Sequence, residues 1–130
     1  MASTSAIFTV DVVGEVTGER FQGSFTTRLK LSHKDQFTRD EIRRRLLGSN
    51  PEAVSPRAAS SAAIFSEIAI HLIDAPKWWT DADGGLNLDD DAPVRAVMDA
   101  ITAETNKYRE GIQKKGEEAA AALKKVDPPK

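Results

Sequence analysis

Cysteine is absent from this 130-residue chain, which removes any disulfide framework and any thiolate metal site and is compatible with a reducing compartment. Neither charge sign dominates: 18 Lys and Arg face 20 Asp and Glu, a net charge of -2, so no global basic field exists to coat nucleic acid. No apolar run approaches the ~20 residues of a membrane-spanning helix. The opening "MASTSAIFTVDVVGE" has neither a basic region nor a long apolar stretch, so no secretory leader is expected and the reading is cytoplasmic. Histidine is scarce, with His33 and His71 alone, and no serine or cysteine stands beside either in a known nucleophile pattern. Phosphate loops, zinc spacings, nucleophile elbows, dinucleotide glycine patterns and paired acid/base motifs are all missing. The expectation is a non-enzymatic protein with no cofactor, no metal and no membrane contact.

What is present is segregated charge and clear periodicity. Residues 28–57 carry eight bases and four acids, whereas residues 74–104 carry eight acids and two bases. Such a bipolar surface favours oriented docking, within the fold or onto a partner. From Ile7 to Val16 the chain alternates, with Phe8, Val10, Val12 and Val16 on one face. A second alternating run puts Phe21, Phe25, Leu29 and Leu31 on one face. Gly18-Glu19 between them suits a two-residue type II′ turn, which would set Val16 against Phe21, Val12 against Phe25 and Phe8 against Leu29. Two strands alone are marginal in water, so a helix or another chain must cover them. Their outer edges would stay open to a neighbouring strand, or be shielded by Arg28 and Lys30.

Three helices follow. In "FTRDEIRRRLLG", Thr38 with Glu41 forms a capping box, Phe37 and Ile42 a hydrophobic staple, and Gly48 a stop. Arg43, Arg44 and Arg45 face outward. The plain reading is a solvated face with ion pairs from Asp40 and Glu41, the other a contact for phosphate or an acidic partner. Ser55 and Pro56 open a second helix running to about Asp74, whose Ile64, Phe65, Ile68, Leu72 and Ile73 make it the core helix. His71 can pair with Glu67. The predicted core is Phe8, Val12, Phe25, Ile64, Ile68 and Leu72.

The linker "APKWWTDADGGLNLDDDAP" places Trp78 and Trp79 beside a glycine pair and five aspartates. Measured from Asp81, an EF-hand fails, because Gly85 and Leu86 occupy ligand-loop positions and Ala92 stands where the bidentate glutamate belongs. Asp89 to Asp91 read instead as favourable charge at a helix N-terminus, with Pro93 in its first turn. Adjacent indoles are expected to diverge, one sealing the corner and the other covering a second surface or meeting a partner. The last helix carries Val94, Met98, Ile101, Tyr108 and Ile112 on a heptad-like seam that fades after Ile112. The domain is expected over residues 7–110, with 111–130 a charged, Ala-rich helical extension ending in Pro128-Pro129. The fold class is α+β: an N-terminal β-hairpin on about three helices, the last long and partly protruding.

The order "GERFQGSFTTRLKLSHKDQ", "RDEIRRRLLG", "APKWW" and "GGLNLDDD" resembles small tail assembly chaperones or minor virion structural proteins of tailed bacteriophages, over roughly residues 7–110. The resemblance implies a role in tail or capsid morphogenesis, in the host cytoplasm during assembly or within the virion. Its implied partners are other phage tail or capsid proteins, with a homo-oligomer also allowed; it assigns no residue roles. From the residues themselves, the candidate partner-binding positions are Trp78, Trp79, Arg43, Arg44, Arg45, Tyr108 and Ile112. The alternative is a small regulatory or nucleic-acid-contacting module using the Arg43–Arg45 turn, although the charge balance disfavours nucleic acid.

Overall fold

A computed structural model describes residues 4–49 and 54–126, with side chains through Leu123. The Pro128-Pro129 stop and most of the loop before Ser55 lie outside the described residues. The chain forms β1 (Ser5–Val13), β2 (Arg20–Arg28), α1 (His33–Leu47), α2 (Pro56–His71), β3 (Leu72–Asp74), the one-turn α3 (Lys77–Thr80) and α4 (Asp91–Val126). The class is α+β, with an N-terminal hairpin in a three-stranded antiparallel sheet of order β1-β2-β3.

The expected strand faces are correct in parity, but the register differs by four residues. Phe8 opposes Phe25, and Val12 opposes Phe21. The connection is therefore the six-residue segment 14–19 rather than Gly18-Glu19 alone. A carboxylate far away in sequence holds this segment. Asp90 accepts hydrogen bonds from Val16 N at 2.6 Å, from Thr17 N at 3.1 Å and from the Thr17 hydroxyl at 2.5 Å. A side chain at Gly14 would collide with the Asp90 carboxylate, so glycine is what lets the loop close over it. Val16, assigned inward by alternation, belongs to this loop and is exposed.

Helix α1 begins about one and a half turns earlier than expected. Ser32 caps it through Asp35 N at 3.1 Å, while the Asp35 carboxylate accepts from Ser32 N at 2.8 Å. Thr38 sits inside the helix, donating its hydroxyl to Lys34 O. The staple fails with the cap, since Phe37 is 73% exposed. Gly48 does end the helix, with φ 83° and its N–H on Arg44 O. Helix α2 starts as expected, at Ser55 and Pro56, but stops at His71. Leu72–Asp74 then turn extended and pair with Thr26 and Thr27 of β2, covering the C-terminal end of that edge. Arg28 ends the central strand, where it pairs with Asp35 at 3.3 Å.

The core joins the inner face of the hairpin to α2, α3 and α4 through Phe8, Val10, Phe25, Ile68, Trp79, Val97 and Ile101. Phe8 and Phe25 stack at 5.2 Å between ring centroids. Val12 and Leu72 are only half-buried against this cluster, and Ile64 is exposed. At ~1.5 Å rise per residue, the 36-residue α4 is about 54 Å long, and its side chains from Arg109 to Leu123 are all exposed.

Candidate functional site

The two tryptophans do not diverge. Pro76 starts the short α3, which swings both indoles under the sheet. Trp79 meets Phe25 edge-on at 5.6 Å and Trp78 at 6.1 Å, while Trp78 meets Phe25 at 5.8 Å and Phe21 at 5.3 Å. The expectation that neighbouring indoles cannot share one small core is corrected by this geometry: Phe25 is large enough to present its ring to both. Trp78 satisfies its N–H on Gln22 O at 2.9 Å and remains half-buried, whereas Trp79 is 2% exposed. Gly84 and Gly85 take φ of 64° and 90°, and the missing side chain at Gly85 is the space the Trp79 ring fills. The adjacency of tryptophans and glycines thus has a packing cause.

The aspartates divide by role. Asp81, Asp83 and Asp89 are exposed, Asp91 lies in the first turn of α4, and Asp90 is buried against the hairpin loop. The Thr17 hydroxyl, followed by the Val16 and Thr17 N–H groups, holds the Asp90 carboxyl below its ordinary pKa, because each favours the charged form. Among the described residues no three His, Asp or Glu side chains come together as metal ligands.

Of the concavities bordering α2, two contain expected site residues. The first, of about 710 Å³, lies between the β2–α1 connection, α2 and α4, and contains the expected Tyr108 and Ile112 beside Leu29, Leu31 and Met98. Its polar part is a chain running from α1 to α2. Arg39 donates to Glu67 Oε1 at 2.7 Å, and His71 Nδ1 lies 2.8 Å from Glu67 O and 3.6 Å from Glu67 Oε2. A carbonyl can only accept, so Nδ1 carries a proton. The Glu67 hydrogen bond raises the Arg39 pKa and keeps the guanidinium charged. His71 is buried at the end of this chain. The arrangement links α1 to α2.

The second concavity, of about 600 Å³, lies between α1, α2 and the 81–86 turn. Its floor is Ile68, Leu72 and Trp79, and its rim includes Leu46, Ile73 and Leu86, all exposed. Arg45 borders it, 3.5 Å from Glu41. Arg43 and Arg44 are exposed on α1, and among the described residues neither makes an ion pair; Asp40 lies beside Arg39 instead of Arg44. The structure therefore brings Trp79 and Arg45 to one groove and Tyr108 and Ile112 to the other. Trp78 sits in the aromatic corner and Arg43 and Arg44 on the outer face of α1. Sequence reading missed the Arg39–Glu67 link, which spans 28 positions, and the apolar groove rim at Leu46, Ile73 and Leu86.

Among the described residues no helix is long and apolar enough to cross a membrane. No protein-family model matches the chain, and neither a curated protein nor a solved structure is found to be similar to it.

Proposed function

We propose that this chain is a non-enzymatic structural or assembly protein that acts through protein–protein contacts in the tail or capsid morphogenesis of a tailed bacteriophage. The observation that carries the contact role is the second half of α4. From Arg109 to Leu123 no side chain is buried, and Ile112 and Leu123 are 49% and 70% exposed. A helix of about 15 residues without tertiary support is marginal in water, and Gly111 and Gly116 each weaken it further by ~1 kcal/mol relative to alanine. A partner that packs against the Ile112 side of this extension supplies the missing support, and the two grooves flanking α2 offer apolar surface on the body of the same molecule. The assignment to a phage particle rests on the resemblance of the hairpin, α1 and tryptophan–aspartate segments.

Truncation after Ile112 tests the reading. The shortened chain should keep its melting transition, because the core ends at Ile101 and the cleft border at Ile112 and Gln113, yet lose capture of tail or capsid proteins and fail to support particle assembly. Full assembly with the truncated chain would remove the extension from the mechanism.

A further inference from the structure

The outer edge of β1 is a surface separate from the α4 extension. Gly14 N donates to Glu19 O, and Leu29 N donates to Thr4 O, each at 2.8 Å. Both pairs belong to the same register as the β1–β2 ladder. Hydrogen-bonded and non-hydrogen-bonded pairs alternate in an antiparallel ladder, so the even-numbered residues of β1 turn their main-chain groups to β2. Ile7, Thr9, Asp11 and Val13 consequently direct N–H and C=O away from the sheet, and among the described residues no strand pairs with that side. The same four side chains lie on the outer face and are exposed.

Long exposed edges are normally blunted by proline, lysine, a bulge or an unpaired charge. The nine residues SAIFTVDVV contain no proline or base and pair with β2 without a register shift. Their one charge, Asp11, is already held by Arg20 through two hydrogen bonds of 2.9 and 2.8 Å. The outward residues read Ile7, Thr9, Asp11, Val13, an apolar–polar–polar–apolar order that is symmetric about Val10.

We propose that β1 is a self-association edge: two copies pair antiparallel about a two-fold axis at Val10, joining their sheets into one of six strands. In this register Ile7 of one copy opposes Val13 of the other, and Thr9 opposes Asp11, so that a hydroxyl meets a carboxylate. Each of the four opposed pairs uses outward main-chain groups, giving roughly eight hydrogen bonds. Ile7 and Val13, 72% and 60% exposed in the single chain, cover one another. Shifting the axis to Thr9 would set Ile7 against Asp11, and shifting it to Asp11 would set two like charges face to face. Val10 is the axis at which chemistry and hydrogen-bond direction agree.

The test is sedimentation velocity of the full chain over a wide concentration range, with site-resolved amide exchange. A dimer should form as concentration rises, and the Ile7, Thr9, Asp11 and Val13 amides should gain protection with it. Thr9→Asp places like charges opposite each other twice and should weaken the dimer by about tenfold, while Thr9→Lys meets Asp11 of the other copy and should hold or tighten it. Thr9 is exposed, so melting of both variants at dilution should match the parent. A monomer throughout, a dimer that leaves those amides unprotected, or equal effects of the two Thr9 variants would each overturn the proposal. Truncation after Ile112 should leave this dimer intact; its loss there would assign the contact to α4 and refute the edge.

Discussion

Replacing Gly85 with alanine, beside the same change at Gly84, separates packing from backbone strain within one turn. Both residues have positive φ, 64° at Gly84 and 90° at Gly85, so alanine at either should cost roughly 1–2 kcal/mol in the left-handed region. Their surroundings differ. A Cβ at Gly84 would lie 4.0 Å from the nearest atom, Trp79 Nε1, which is ordinary contact. A Cβ at Gly85 would lie 2.7 Å from Trp79 Cη2 and 2.9 Å from Cζ2 and Cζ3, and real carbon atoms do not approach that closely. The indole has little room to yield, being 2% exposed and held edge-on by Phe25 and Trp78. Overpacking of a filled core adds about 1–3 kcal/mol, so Gly85→Ala should cost about 2–5 kcal/mol in all. At roughly 4 °C per kcal/mol for a chain of this size, Gly84→Ala should lower Tm by about 4–8 °C and Gly85→Ala by about 8–20 °C. Thermal unfolding followed by circular dichroism reads the difference. Two variants melting within a degree or two of each other would mean that Trp79 does not occupy the space beside Gly85.

The Asp90 latch makes stability depend on acid. Its folded pKa is lowered, so its contribution is fully present above the unfolded carboxylate value near ~4 and is lost as pH falls through the folded value. Asp90→Asn should therefore melt below the parent at pH 7, with the gap closing towards pH ~2; a gap independent of pH would contradict the latch. Ile68→Ala should cost about 2–5 kcal/mol in denaturant unfolding, and Leu72→Ala less, because Ile68 is fully buried and Leu72 only partly. Equal costs would place the two residues in the same environment. Calcium at 1 mM should raise Tm by less than about 2 °C, as expected for affinity no tighter than ~1 mM, and a saturable shift at micromolar calcium would establish a site in the acidic linker.

The parts of the fold legible in the sequence were those set by neighbours along the chain. Alternation identified the inward faces at Phe8 and Phe25, Ser55-Pro56 marked the start of α2, and Gly48 marked the end of α1. Contacts between distant segments were not legible. The hairpin loop is held by Asp90, 73 positions beyond Thr17, and no turn rule contains that carboxylate. The start of α1 was expected at Thr38-Glu41, but Ser32-Asp35 has the same spacing and caps the helix instead, soon after β2 ends. Leu72–Asp74 continue the apolar stripe of α2 along the sequence, yet they run extended and pair with the distant β2. The tryptophans show the same limit: adjacency along the chain suggests opposite directions, but a single turn of helix carries both onto Phe25. At the candidate surfaces, Tyr108 and Ile112 were visible as a helical seam. The grooves beside them exist only once α1, α2 and α4 are in place.

The most direct test of the proposed role in particle building is to supply the version truncated after Ile112 in place of the full chain and to count complete tailed particles by electron microscopy. The truncated protein should accumulate folded while complete particles fall to a small fraction of the parental number. Parental numbers of complete particles, with the truncated protein folded, would contradict the claim that the exposed half of α4 is the contact through which this protein works.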